Sequence, residues 1–308
     1  MARQQVAVPG TATPPSTVAL IANPDAGTCD PDLCAARLQG FGVAVEIFRI
    51  EEIERAVAAG AERVAVAGGD GSIAPVAAAT GRAGIPFALI PCGTANDFAR
   101  RLGLPLELSA ACRLAAQGGQ LRALELGWIE ALPPPTTPAG DPSRRPFVNV
   151  ASAGLPAPAA GRARSWKRQL GPLAYAAGAV AAGLSSKPVT CRVECDDRTL
   201  FEGDAWQVTV ASTGGFGAGS RIDEADPADG ALDVVAVVAG PRPGLVSLAY
   251  RLRTGDVSGH RRATHARCAR VVIHLQSGGE LNVDGELVAA GTATFTARPA
   301  AFRLVIGY

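Results

Sequence analysis

Over the first third of the chain, short continuous apolar runs alternate with segments of helical period. TVALIAN (17–23), VAVEIF (43–48), RVAVAG (63–68) and FALIP (87–91) read as buried strands. Between them, PDLCAARLQG (31–40), EEIERAVAAG (51–60) and residues 72–80 read as helices, with two more near 95–102 and 108–117. Strands separated by helices predict a parallel sheet wound with helices. After the Pro-rich stretch ALPPPTTPAGDPSRRP (131–146) the pattern changes. FVNVAS, VTCRVEC, AWQVTVAST, ALDVVAVV, ARVVIHL, ELNVDGEL, ATFTARP and FRLVIGY alternate apolar and polar positions between Gly, Asp and Pro turns. That is the pattern of an antiparallel sandwich. Two helices are expected within it, at 168–184 and 243–253. The expected organisation is a disordered tail (1–16), an α/β domain (17–130) and a β-rich domain (147–308). Whether the last strand returns to the first domain is left open.

Composition narrows the function classes. Of 308 residues, 48% are apolar and 5% aromatic, and the net charge is +1, so neither a basic field nor stacking platforms point to nucleic acid. The longest apolar helix candidate, LAYAAGAVAAGL (173–184), falls short of the roughly 18 residues a membrane span needs. The N-terminus lacks the apolar stretch of a signal peptide, so a cytoplasmic protein is expected. Seven scattered cysteines suggest reduced, buried thiols. Cys191 and Cys195, four apart on one strand, would lie about 13 Å from each other. The three histidines share no metal spacing.

Candidate chemistry sits where the predicted parallel strands end. In GGDGS, Gly68, Gly69, Asp70, Gly71 and Ser72 lie at the carboxyl end of a strand and open a helix. Glycine amides and a helix N-terminus suit a phosphate. A tight strand–helix turn explains the same residues. In PCGTANDF (91–98), Gly93, Thr94, Asn96 and Asp97 end the next strand, so Asp70 and Asp97 would face one crevice. Two carboxylates near phosphates make sense with Mg²⁺ between them, although Asp97 could simply cap a helix. VDGE (283–286) alone reads as a hairpin turn.

Taken together, these stretches resemble the diacylglycerol kinase-like lipid kinases. IANPDAG (21–27) is similar to that family's Asn-Pro-x-x-Gly loop, GGDGS to its Gly-Gly-Asp-Gly-Thr, and PCGTANDFARRLGLP to its Pro-x-Gly-Thr-x-Asn-Asp-Phe block. DEADPADGALDV (223–234) and VDGE match its two later Asp-Gly stretches. The resemblance implies an ATP-binding α/β domain, a β-rich domain for the lipid acceptor, and an active site in the cleft between them. It implies that Asn23, Gly68, Gly69, Asp70, Gly71, Ser72 and Thr94 contact ATP. Asp70 and Asp97 would organise Mg²⁺, and so would Glu125, which stands where the family usually has Asp. Asp284 would be the general base, Glu286 would support the nucleotide–metal complex, and Asp229 would hold a structural Mg²⁺ in the second domain. Pro75 replaces a family Glu, and Ser72 replaces Thr with its hydroxyl retained.

A lipid kinase meets its substrate at a membrane surface. GRARSWKRQL (161–170), with Arg162, Arg164, Lys167, Arg168 and Trp166, suits anionic headgroups, as does RRATHARCAR (261–270); solvated basic faces fit both equally. Two other readings stand beside this one: a different Gly-Gly-Asp-Gly kinase such as an NAD kinase, and a non-catalytic lipid-binding relative. The acceptor lipid is not legible, and a homodimer is possible.

Overall fold

A computed structural model describes residues 10–132, 143–154, 187–216, 220–223, 225–242, 244–245, 251, 254–257 and 259–307. The helix expected at 168–184, the basic segment 161–170 with Trp166, and most of the Pro-rich stretch lie outside the described residues. Of the helix expected at 243–253, only Gly244, Leu245 and Arg251 are described, all helical.

The elements follow in chain order as β1 (Gly10–Ala12), β2 (Thr17–Ala22), α1 (Pro31–Gln39), β3 (Ala44–Arg49), α2 (Ile53–Ala58), β4 (Arg63–Gly68), α3 (Ile73–Ala83), β5 (Phe87–Pro91), α4 (Asp97–Arg101), α5 (Leu108–Gln117) and β6 (Gly119–Leu132). Next are β7 (Ser143–Phe147), β8 (Val150–Gly154), β9 (Val189–Cys195), β10 (Arg198–Ala211), β11 (Gly215–Phe216), β12 (Ser220–Arg221), β13 (Leu232–Val238), β14 (Ala263–Cys268), β15 (Arg270–Val283) and β16 (Glu286–Ile306). The chain divides into two compact units. The first holds residues 1–126, 227–230 and 298–308; the second holds 127–226 and 231–297.

In the first unit, β3, β2, β4 and β5 pair in parallel, in that order. Every residue of β4 and β5 is buried, as the continuous apolar runs require. The end of β16 joins this sheet through Leu304, paired parallel with Phe87, so the last strand does return. Its Val305 enters the core with Leu20, Leu38, Ile90 and Cys112, and Phe302 packs edge-to-face on Phe87 at 6.0 Å. Residues 10–12, expected in a disordered tail, form β1 and pair antiparallel with residues 119–121 of β6. The sequence assigns no strand to 119–132. Its Leu, Glu and Ala residues carry no strand signal, and pairing with β1 and β7 decides the outcome.

In the second unit, β14, β13, β10, β8 and β15 pair antiparallel in that order, and β9 bridges β10 and β15. Alternation sends Val208, Val210, Val234, Ala151 and Ile273 into one core. The opposite positions Val150, Val235 and Val237 enter a second cluster, and a register shift between Ala205 and Gln207 turns Trp206 to that side as well. Runs read separately as ATFTARP and FRLVIGY are one strand, β16. The expectation of reduced thiols throughout is corrected at one place: Cys195 and Cys268 form a disulfide across 73 residues, with Cα atoms 5.5 Å apart. Cys195 pairs with Val271, so the turn from β14 into β15 folds Cys268 back over it. Strand register produces this proximity, and spacing along the chain does not disclose it.

Candidate active site

In the first unit, three loops follow β2, β4 and β5, and their glycines explain how closely they stack. A Cβ on Gly93 would come within 2.6 Å of Gly69 Cα. One on Gly68 would meet Ser72 Oγ at 2.7 Å, and one on Gly27, whose φ is +57°, would strike the Cys92 carbonyl. Gly27 and Gly93 let backbone lie against backbone, and Gly68 leaves room for the Ser72 side chain. Gly71 differs: it is exposed, and a Cβ there meets nothing within 4 Å. In GGDGS, Gly68 is thus crowded by the turn's own Ser72 and Gly69 by the next loop, and Gly71 is the position open to a ligand.

The amides of this turn are partly committed. Ser72 N–H donates to the Gly69 carbonyl (3.0 Å) and Ile73 N–H to the Asp70 carbonyl, making a 3₁₀ turn before α3. Ser72 holds the N-cap position without capping through its side chain. Its hydroxyl accepts from Asn23 Nδ2 (3.1 Å), joining the first loop to the second. Asn23 Oδ1 accepts from Asp25 N–H (3.1 Å). Asp70 accepts from the amides of Asp97 (3.1 Å) and Phe98 (3.0 Å), one on each carboxylate oxygen. That satisfies two N–H groups at the start of α4, where a carboxylate also complements the helix dipole. Asp97 is buried and Thr94 exposed. Asn96 sits at φ +51° and closes its turn in both directions, accepting from Gly93 N–H (2.9 Å) and donating to the Gly93 carbonyl (2.8 Å).

Glu125 is buried on β6. Its carboxylate accepts from Gly230 N–H (2.8 Å), and its own amide donates to the Pro227 carbonyl (2.7 Å). These bonds fasten both ends of the 227–230 turn. Asp229 therefore lies in a turn of the first unit, where a structural Mg²⁺ was expected in the second. Among the described residues, no group of three or more His, Cys, Asp or Glu side chains is placed to hold a metal ion. Asp70, Asp97 and Glu125 are therefore not gathered into a protein-only cage, and two of them, Asp70 and Glu125, also accept backbone amides.

Beneath these loops lie three thiols, Cys29, Cys34 and Cys92, that sequence reasoning passed over. Cys29 Sγ is 3.3 Å from the Ala67 carbonyl. Hydrogen bonds from Cys34 and then Cys92 outweigh burial and hold the Cys29 thiol well below its ordinary range, while the same bonds push Cys34 and Cys92 up. The pattern Cys-x₄-Cys in 29–34 was the available signal.

In the second unit, Asp284 stands at φ +48° in the turn between β15 and β16. Its carboxylate accepts from three successive amides: Val148 (2.7 Å), Asn149 (2.9 Å) and Val150 (3.1 Å). Its own amide returns to the Val150 carbonyl (3.0 Å). The 148–150 segment is held on its other side by Ser212 and Thr213 N–H bonds to the Asn149 and Val148 carbonyls, and by Thr213 Oγ1 on Asn149 Oδ1 (2.6 Å). Asn149 and Thr213 are buried polar residues with no motif to announce them. Glu286 pairs with Arg145 of β7.

A parallel α/β unit with glycine loops at its strand ends, coupled to a β-sandwich unit, defines a class shared by several kinases. The diacylglycerol kinase catalytic domain model matches residues 17–129. The YegS C-terminal NAD kinase β-sandwich-like domain model matches 149–306. A probable lipid kinase YegS-like protein of Pseudomonas putida is 33% identical over 82% of this chain and 79% of its own. A diacylglycerol kinase of Mycobacterium tuberculosis is 26% identical over 81% of this chain and 78% of its own. Among solved structures, a putative diacylglycerol kinase from Bacillus anthracis superposes with a TM-score of 0.72 at 19% identity, covering 96% of this chain and 99% of that one. Yeast NADH kinase shares the fold more distantly, with a TM-score of 0.53 at 11% identity over 96% of this chain and 84% of that one. The chain belongs to the diacylglycerol kinase-like lipid kinase family.

Proposed function

We propose that the protein is an ATP-dependent lipid kinase that transfers the γ-phosphoryl group to a lipid hydroxyl at a membrane surface. The observation that carries this is the stack of three glycine loops at the β2, β4 and β5 ends, with Gly71 alone facing open space. Phosphoryl transfer asks a protein chiefly for positioning and charge neutralisation. Asn23 and Ser72, bonded to each other, supply polar side chains next to Gly71, Thr94 is exposed on the following loop, and the first turn of α3 favours negative charge. Mg²⁺ would arrive bound to the triphosphate, where one or two carboxylates suffice, and Asp97 is the carboxylate proposed for that contact.

Asp284 is proposed to receive the acceptor hydroxyl's proton. Three amide donors fix its carboxylate in place, which suits a loose transition state in which the base orients the hydroxyl more than it pulls on it. Such help is worth about 10²–10⁴-fold. Asp284→Asn should lose turnover by that order. It also places an amide NH₂ against N–H donors, so the variant should be less stable by about 1–3 kcal/mol. Turnover measured well below its melting temperature separates the two effects.

The test incubates the protein with γ-labelled ATP, Mg²⁺ and a total lipid extract, with NAD as a parallel acceptor. Label in an organic-phase product supports the proposal. Label in NAD alone, or ATP hydrolysis with no labelled acceptor, refutes it.

A further inference from the structure

The second unit holds a cavity of about 530 Å³ whose walls include Trp206, Val237, Arg251, His260, Arg261 and Arg262. It opens beside Trp206, within β10. The Asp284 turn bonds Val150, which faces Ala211 at the C-terminal end of that strand, roughly 16 Å from Trp206 along it. The floor is apolar: Trp206 and Val237 are buried, and the indole N–H is satisfied by the Gly240 carbonyl at 3.2 Å. The rim is cationic. Arg251 is offset by Asp256. Arg262 is exposed and donates one N–H to the Ala239 carbonyl (3.2 Å). Arg261 is exposed and makes no hydrogen bond or ion pair with any described residue. No described residue lining the cavity is acidic. His260 registers the same environment, its ring held below the usual histidine range by burial and then by Arg251, Arg262 and Arg261.

We propose that this cavity binds the phosphate group of an anionic phospholipid, with Arg261 and Arg262 on the phosphate and the first methylenes on Trp206. Two exposed guanidiniums without carboxylate partners supply fork-shaped donors that match phosphate oxygens. An apolar floor of this size has no use for a bare inorganic anion but suits one attached to hydrocarbon. The cavity lining includes none of the proposed phosphoryl-transfer residues, and its binding does not depend on their chemistry.

The experiment is sedimentation with phosphatidylcholine vesicles, with and without phosphatidylglycerol, at physiological ionic strength. Wild type is compared with Arg261→Gln, Arg261→Gln/Arg262→Gln, and Arg198→Gln, which removes an exposed arginine elsewhere on β10. Melting temperature with inorganic phosphate is measured in parallel. Binding to the anionic vesicles alone is expected, weakened about fivefold by Arg261→Gln and about 25-fold by the double variant, the worth of one and two basic residues at such a surface. Arg198→Gln should bind like wild type. Equal loss in Arg198→Gln, or none in Arg261→Gln, overturns the site. Stabilisation by inorganic phosphate without vesicle binding overturns the lipid assignment.

Discussion

At the residue scale, glycines that look alike in sequence separate by what faces them. Gly93 lies against the Gly69 backbone, so Gly93→Ala must push two loops apart; it should cost about 1–3 kcal/mol of stability by thermal or denaturant melting. Gly71 faces open space in a 3₁₀ turn, so Gly71→Ala should melt like wild type. The sequence made the cluster legible. It could not distinguish glycines crowded by a neighbouring loop from the one left open, because that depends on which strands lie side by side. The thiols beneath the loops offer a second check. Iodoacetamide should label Cys29 ahead of Cys34 and Cys92, because hydrogen bonds from those two favour its thiolate. ATP should slow that labelling if the 23–28 loop holds the nucleotide; an unchanged rate would place nucleotide elsewhere.

At the element scale, several motif residues turn out to hold elements together. Asp70 fastens α4 through the Asp97 and Phe98 amides, so Asp70→Ala leaves two helix-start N–H groups without an acceptor. Loss of about 1–3 kcal/mol is expected alongside loss of activity, and an inactive variant of wild-type stability would return Asp70 to a purely chemical role. Glu125 likewise fastens the 227–230 turn. Strands and helices of the first unit were legible because each is a short run of one period. Strand β6 was not, because its strand state comes from partners that are distant in sequence. The Cys195–Cys268 disulfide was hidden for the same reason. Thiol titration of the unfolded, unreduced protein should find five thiols among the seven cysteines. Reduction should lower stability, with an entropic ceiling of about 4 kcal/mol for the 73-residue loop.

At the scale of the whole molecule, neither unit is one continuous stretch of chain. The α/β unit takes residues 227–230 and 298–308 from the far end of the sequence, with Val305 in its core and Leu304 on its sheet edge. A fragment of residues 1–132 should therefore give no cooperative melt, although it spans the matched catalytic-domain segment. The alternating pattern made two structural classes visible along the chain; only the fold shows where the final strand docks. The most direct measurement of the central claim is phosphoryl transfer from γ-labelled ATP to extracted lipid by wild type and Gly71→Val, with melting curves for both. Labelled lipid from wild type, and its loss in a variant that melts as wild type does, is the predicted result. Equal labelling by the two proteins would contradict the claim that the triphosphate lies against Gly71.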